Sequence, residues 1–197
     1  MKRNHFKRFA ALALSAVCGA ACLAGCGTQP TATTALETFQ QPKTGSYEDW
    51  ELIQQTRQEN PVSESTFTAL DHFAYTTAAQ VLGEDANGSY SPLSLYYALA
   101  LAATGAAGET QTQMLDLLGI SDPAQLSDQC AKLYRLLSRD NEVGTLRLAN
   151  SLWMDQRVDW KQSFVTQAAQ NFYAEVYQVD FTTDEAPKAM AQWVAQQ

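Results

Sequence analysis

The chain has 197 residues, 46% of them apolar, and carries 13 Lys and Arg against 21 Asp and Glu for a net charge of −8. That is length enough for one domain with its own core, and the acidic balance excludes nucleic acid as a partner, because phosphate binding needs clustered cations. Three of the four cysteines precede residue 27, which excludes an internal disulfide framework for the remainder of the chain.

Lys2, Arg3, Lys7 and Arg8 precede an apolar run, Phe9 to Val17, that is too short to span a bilayer. Residues 1–25 therefore read as a signal peptide. The run ends in Leu23-Ala24-Gly25-Cys26, which resembles the lipobox of bacterial lipoproteins. That resemblance implies cleavage before Cys26, lipid attachment at its thiol, and an exported protein held on the outer face of the cell membrane. More than one acyl chain on Cys26 would meet the two-signal requirement for stable anchoring. Losing the leader would leave nine Lys and Arg against 21 acids, near −12, with Cys130 as the sole free thiol. Such a body is repelled by anionic lipid, so the lipid anchor is the only membrane contact expected.

Residues 26–61 are rich in Thr, Gln and Pro and read as a flexible tether, apart from Tyr47, Trp50, Leu52 and Ile53, which could form a short docking segment. Folded sequence is expected over 62–197. Phe67, Leu70, Ala74, Ala78 and Val81 recur at helical spacing, and Gly83 with Asn87-Gly88 ends that helix. Ser89-Tyr90 reads as a short strand. Ser91 caps the next helix and Pro92 suits its first position; Leu93 to Ala103 is apolar nearly all round, so Leu95, Leu99 and Ala102 are expected to be fully buried.

Thr110 and Gln113 form a possible capping box for a helix with Met114, Leu117 and Leu118, closed by Gly119. Asp122-Pro123 opens another, with Leu126, Cys130, Leu133 and Leu137 on one face, which makes Cys130 core packing rather than a nucleophile. The period then becomes two. Leu146, Leu148, Asn150, Leu152 and Met154 share one strand face, with Ala149 and Trp153 on the other. Trp160, Phe164, Ala168 and Phe172 give a helix, Glu175 to Phe181 a second strand, and a last helix from near Thr183 carries Pro187, Met190, Trp193 and Gln197.

This order of elements and motifs resembles the N-terminal portion of a serpin. Tyr90-Ser91-Pro92-Leu93-Ser94-Leu95 is similar to the "SPxSI" start of the family's helix B, and Thr104 to Thr110 to its "LGAxGxT" turn. Leu148-Ala149-Asn150-Ser151-Leu152-Trp153 resembles "ANSLW" on a central-sheet strand, Tyr173 to Phe181 resembles "YxAEVxxVDF", and Trp193-Val194 resembles "INxWV" in helix F. The fold class implied is α+β: helices A to F with the first strands of the central sheet. The resemblance also implies a shutter region at Ser91, Pro92 and Ser94, whose hydroxyls would need hydrogen bonds if buried, and a structural motif at Asn150, Trp153 and Trp193. Ala191 stands where the family has Asn.

In function, the resemblance implies a protease inhibitor at the bacterial cell surface, with a serine or cysteine protease as partner. The reactive loop lies in the C-terminal part of the family, so the chain is expected to be an incomplete gene product, with no reactive-centre residue to name and no inhibition or rigid folding of these residues alone. Two alternatives stand beside it: a non-inhibitory binding or adhesion module, and a solute-binding lipoprotein. No catalytic residue, metal or cofactor is expected. The pattern lacks HExxH, CxxC, GxSxG and a phosphate loop, and Ser94 lacks the lysine three residues on that an SxxK acylase needs. His72 is assigned to packing or a surface rim, and Asp184-Glu185 to a helix start.

Overall fold

The computed structural model describes residues 34–83 and 87–197; the signal peptide and Cys26 lie outside the described residues. A strand, β1 (Thr34–Glu37), and a helix, α1 (Trp50–Glu59), come first. They correct the expected tether: within 26–61, residues 34–37 pair into a sheet and 50–59 form a helix capped by Asp49, whose Oδ1 accepts from the Leu52 amide at 3.0 Å. The sequence hid β1 because a four-residue strand of Thr-Ala-Leu-Glu has no alternation to detect.

Next come α2 (Glu64–Val81), α3 (Pro92–Gly105), α4 (Gly108–Leu118) and α5 (Pro123–Leu137). Ser63, Ser91 and Asp122 cap α2, α3 and α5 through their side-chain oxygens, and Pro begins α3 and α5 where its missing N–H costs nothing. Gly119 closes α4 at φ +69°, and a Cβ there would also lie 2.9 Å from that of Ala69. A hairpin of β2 (Arg139–Asp140) and β3 (Thr145–Leu146) leads to β4 (Asn150–Asp155), α6 (Gln162–Phe172), β5 (Ala174–Val179) and α7 (Glu185–Gln196).

The sheet has the order β1-β5-β4. Strands β4 and β5 run parallel, from Asn150 opposite Ala174 to Asp155 opposite Val179, and α6 is the crossover that parallel pairing requires. Strand β1 is antiparallel on the other edge of β5, with a bulge at Leu36. Strand β5 is buried on both faces: Ala174 and Val176 join the main core, while Tyr177 and Val179 face the other way.

The core centres on α3, which packs on α2, α4, α5 and α6. Tyr96, Tyr97, Ala100, Leu101 and Ala103 are buried, each large side chain contributing about 1.5–3 kcal/mol. Two tyrosines can lie inside an apolar helix because their hydroxyls are satisfied: Tyr96 donates to the Leu118 carbonyl at 3.1 Å and Tyr97 to the Cys130 carbonyl at 2.7 Å. Phe73 meets Tyr96 edge-on, and Phe172 meets Tyr97 likewise.

Several expectations change. On α2 the buried face is Thr66, Ala69 and Phe73, while Phe67 and Val81 are about half exposed. Thr66 is tolerated inside because its hydroxyl donates to Gln129 Oε1. Leu95 and Leu99 are half-buried and Ala102 is exposed, so one face of α3 is uncovered among the described residues. Helix α4 starts at Gly108, two residues before the expected capping box, which does not form; Gln113 bonds Glu109 instead. Ser89-Tyr90 is not a strand, and Tyr90 donates to Thr77. The long alternating strand is broken, its Leu146 belonging to the hairpin and only Asn150–Asp155 to the sheet.

Candidate functional site

Ser91 approaches α3 in extended conformation, and its Oγ accepts from the Ser94 amide at 3.3 Å and pairs with Ser94 Oγ at 2.8 Å. Pro92 between them is half-buried and both serines are exposed. Their hydroxyls therefore satisfy each other in contact with solvent and impose no buried polar cost.

The second group lies on the sheet. Asn150 opens β4, half-buried, and its Nδ2 donates to the Phe172 carbonyl at 2.8 Å. Trp153 donates to Ser151 Oγ at 2.9 Å and stacks on Tyr177 with ring centroids 4.6 Å apart. Trp193 of α7 donates through Nε1 to Glu175 Oε2 at 3.0 Å, and the Tyr177 hydroxyl donates to the same oxygen. Burial first, and the Glu175 carboxylate second, push the Tyr177 phenol well above its ordinary range, so it stays a donor at every physiological pH. The Trp153–Tyr177–Glu175–Trp193 chain thus ties β4, β5 and α7 together.

The structure places these residues on the expected elements and keeps the two groups apart. Among the described residues no hydrogen bond joins the serine pair to Asn150, Trp153 or Trp193. The link runs through packing: Tyr97 of α3 meets Phe172, whose carbonyl Asn150 holds. Ala191, where the motif would carry Asn, is exposed and makes no polar tie to the sheet.

Glu175 escaped the sequence reading as a participant, although period two placed it on the same face as Tyr177. A second group left no sequence signal: Tyr173 stacks flat on Tyr134 at 3.9 Å, takes Phe39 edge-on at 5.5 Å, and accepts a bond from Arg135 Nε at 2.7 Å. Its partners lie far apart in the chain. A cavity of about 260 Å³ opens here, with Phe39, Tyr134, Asn150, Tyr173 and Trp193 in its wall.

This arrangement packs, orients and clamps; nothing in it pairs a nucleophile with a base. Cys130 is 2% exposed, and burial pushes its thiol up to about 12, which keeps it protonated. His72 is exposed on α2, Asp184 precedes α7, and Glu185 pairs with Lys188.

The sequence model of the family described as Serpin (serine protease inhibitor) matches residues 68–197. Serpin-Z7 of Hordeum vulgare is 33% identical over 117 residues, which cover 55% of this chain and 29% of that protein. Alpha-1-antiproteinase F of Cavia porcellus is 31% identical over 156 residues, covering 75% and 37%. Among solved structures, the thermophilic serpin tengpin in the latent state aligns with a TM-score of 0.64 at 24% identity over 68% of this chain and 37% of that one. Reaction-loop-cleaved lamprey angiotensinogen aligns with a TM-score of 0.56 at 21% identity, over 73% and 40%. These two likenesses carry the fold alone. The chain spans about a third of the length of the curated relatives it matches.

Proposed function

This chain belongs to the serpin family, and from that premise we propose that it is the N-terminal part of a serpin-type inhibitor of serine or cysteine proteases, exported and held at the outer face of a bacterial membrane through Cys26. The observation that carries the inhibitory reading is the extent of the family match, which takes in α3, β4, α6, β5 and α7 together with Ser91, Pro92, Ser94, Asn150, Trp153 and Trp193.

Serpin reactive-loop insertion is itself a standard example of strand addition to a sheet. In that reading β4 and β5 belong to the receiving sheet, the serine pair at the start of α3 belongs to the region that opens, and the Trp193–Glu175 bond holds α7 against the sheet while it does so. The family is one of inhibitors, and the Cys130, His72 and Asp184 environments fit that reading better than an enzyme's.

The test uses the product of the whole gene, incubated with chymotrypsin-like and subtilisin-like proteases. The expected outcome is a complex of protease and inhibitor that survives boiling in detergent, together with stoichiometric loss of protease activity. Cleavage without any such complex, at every protease tried, would favour a non-inhibitory binding module.

A further inference from the structure

We infer that residues 34–60 are a clasp that fastens the anchor end of the chain onto the outer edge of the sheet, so that the inhibitor body stands close to the membrane instead of riding on a long leash. The inference rests on the proposed lipidation of Cys26 and goes beyond it.

The family match begins at residue 68, so β1 and α1 lie outside the matched residues. They are nonetheless joined to them. Strand β1 covers the outer edge of β5, pairing Thr34 with Gln178, Ala35 with Tyr177 and Glu37 with Val176. The bulge at Leu36 is the means by which an extra residue re-aims a side chain, and Leu36 and Phe39 both pack against the core. Gln162 donates to Glu37 at 3.2 Å, and Tyr134 donates to Gln41 at 3.3 Å. Ser46 Oγ and the Tyr47 amide both donate to Glu142 Oε1, at 2.7 and 3.0 Å. The far end is pinned by Asn60, 6% exposed, whose Oδ1 accepts from Arg135 at 2.8 Å.

Tyr173 supplies an independent observation. It is the only non-glycine described with positive φ, at 51°, a conformation that costs an ordinary side chain about 1–2 kcal/mol. The ring is held there between Phe39 of the clasp and Tyr134, with Arg135 on its hydroxyl and, through its other nitrogen, on Asn60. The strained residue is thus the socket that the clasp closes.

The consequence is one of reach. Thr34 follows Cys26 by eight residues, so whatever their conformation the docked body begins within about 29 Å of the lipidated residue. Without docking, the leash would extend to Pro61, thirty-five residues on, and allow about 120 Å. A clasped inhibitor meets proteases at the membrane surface; an unclasped one also meets those farther out.

The test uses the acylated full-length protein in phospholipid vesicles. A donor dye is placed at Tyr75→Cys, which is 81% exposed on α2, while buried Cys130 stays unlabelled, and an acceptor dye is placed on the lipid. Leu36→Asp with Phe39→Asp is expected to cut energy transfer about twofold or more, because chain span grows with the square root of the free length. Ala35→Pro, which disturbs only the strand ladder, is a second route to release should the double variant fail to fold. In a separate sample Thr34→Cys with Gln178→Cys is expected to form a disulfide under mild oxidation. Unchanged transfer in both release variants, or no cross-link, would overturn the clasp. A wild-type protein without acyl mass that stays off vesicles would instead sink the lipid reading, and the short leash with it, while the cross-link still reports on β1.

Discussion

Asn150 Nδ2 donates to the carbonyl oxygen of Phe172 at 2.8 Å, so the first residue of β4 closes the last turn of α6. The last carbonyls of a helix have no intrahelical donor, and this one sits where Tyr173 turns the chain into β5. The bond ties the start of β4 to the end of the crossover helix, at the register point where Asn150 faces Ala174.

Asn150→Ala is accordingly expected to lower stability by about 1–2 kcal/mol, the cost of leaving the buried Phe172 carbonyl without its donor. Asn150→Asp keeps the shape but presents a carboxylate oxygen in place of the donor, so it is expected to cost at least as much. Denaturant midpoints of the whole protein and the two variants measure both; an Asp variant as stable as wild type would remove this bond from the account of the crossover.

Tyr173→Gly sets two effects against each other. Glycine relieves about 1 kcal/mol of left-handed strain, but truncating a buried aromatic ring costs about 3–5 kcal/mol. The ring wins, and a net loss of about 2–4 kcal/mol is expected. Tyr173→Phe keeps the stack on Tyr134 and loses only the bond from Arg135, so a smaller loss of about 1–2 kcal/mol is expected. Thermal melts of the pair would refute the socket if Gly proved the milder change.

Local signals in the sequence reached the helices and their caps: Ser91-Pro92, Asp122-Pro123 and Gly119 all stand where their stereochemistry is needed. The family motifs fell on α3, β4, β5 and α7 for the same reason, being short and local. What stayed hidden was long-range. Strand β1 exists because β5 offers an edge to Thr34–Glu37, not because those residues favour a strand. The face of α2 is set by Gln129, which gives buried Thr66 a partner, a fact that apolar periodicity cannot contain. Leu95 and Leu99 looked like core because α3 is apolar all round, but helical spacing says nothing about whether a neighbour arrives to cover them.

Cys130 gives a pH dependence. Burial raises its pKa from the ordinary 9.0 to about 12 because the thiolate cannot be solvated. The folded protein therefore binds this proton more tightly than the unfolded chain. The contribution is complete below pH 9 and is lost as pH rises from about 9 towards 12. Tyr96 and Tyr97, pushed up still further by burial, act in the same direction. Stability is expected to fall above pH 9, less steeply in Cys130→Ala, and the native thiol to resist iodoacetamide at pH 8 until denaturant is added. Rapid native alkylation would place the thiol outside the core.

The last expectation concerns Cys26. No helix among the described residues is long and apolar enough to cross a membrane, and residues 26–197 carry nine Lys and Arg against 21 acids, a balance that anionic lipid repels. If Leu23-Ala24-Gly25-Cys26 directs acylation, the acyl chains hold the protein alone, and Cys26→Ser is expected to release it from the membrane fraction or to leave the uncleaved precursor. Mass spectrometry separates the two, since acylation adds mass at residue 26 and failed processing retains residues 1–25. A salt wash separates lipid from charge. Screening shortens the range of electrostatic attraction to about 3 Å at 1 M, yet leaves buried acyl chains in place. Wild type is therefore expected to stay membrane-bound through the wash. Equal retention of Cys26→Ser, with an unchanged mass, would rule lipidation out and return the N-terminus to an ordinary export signal.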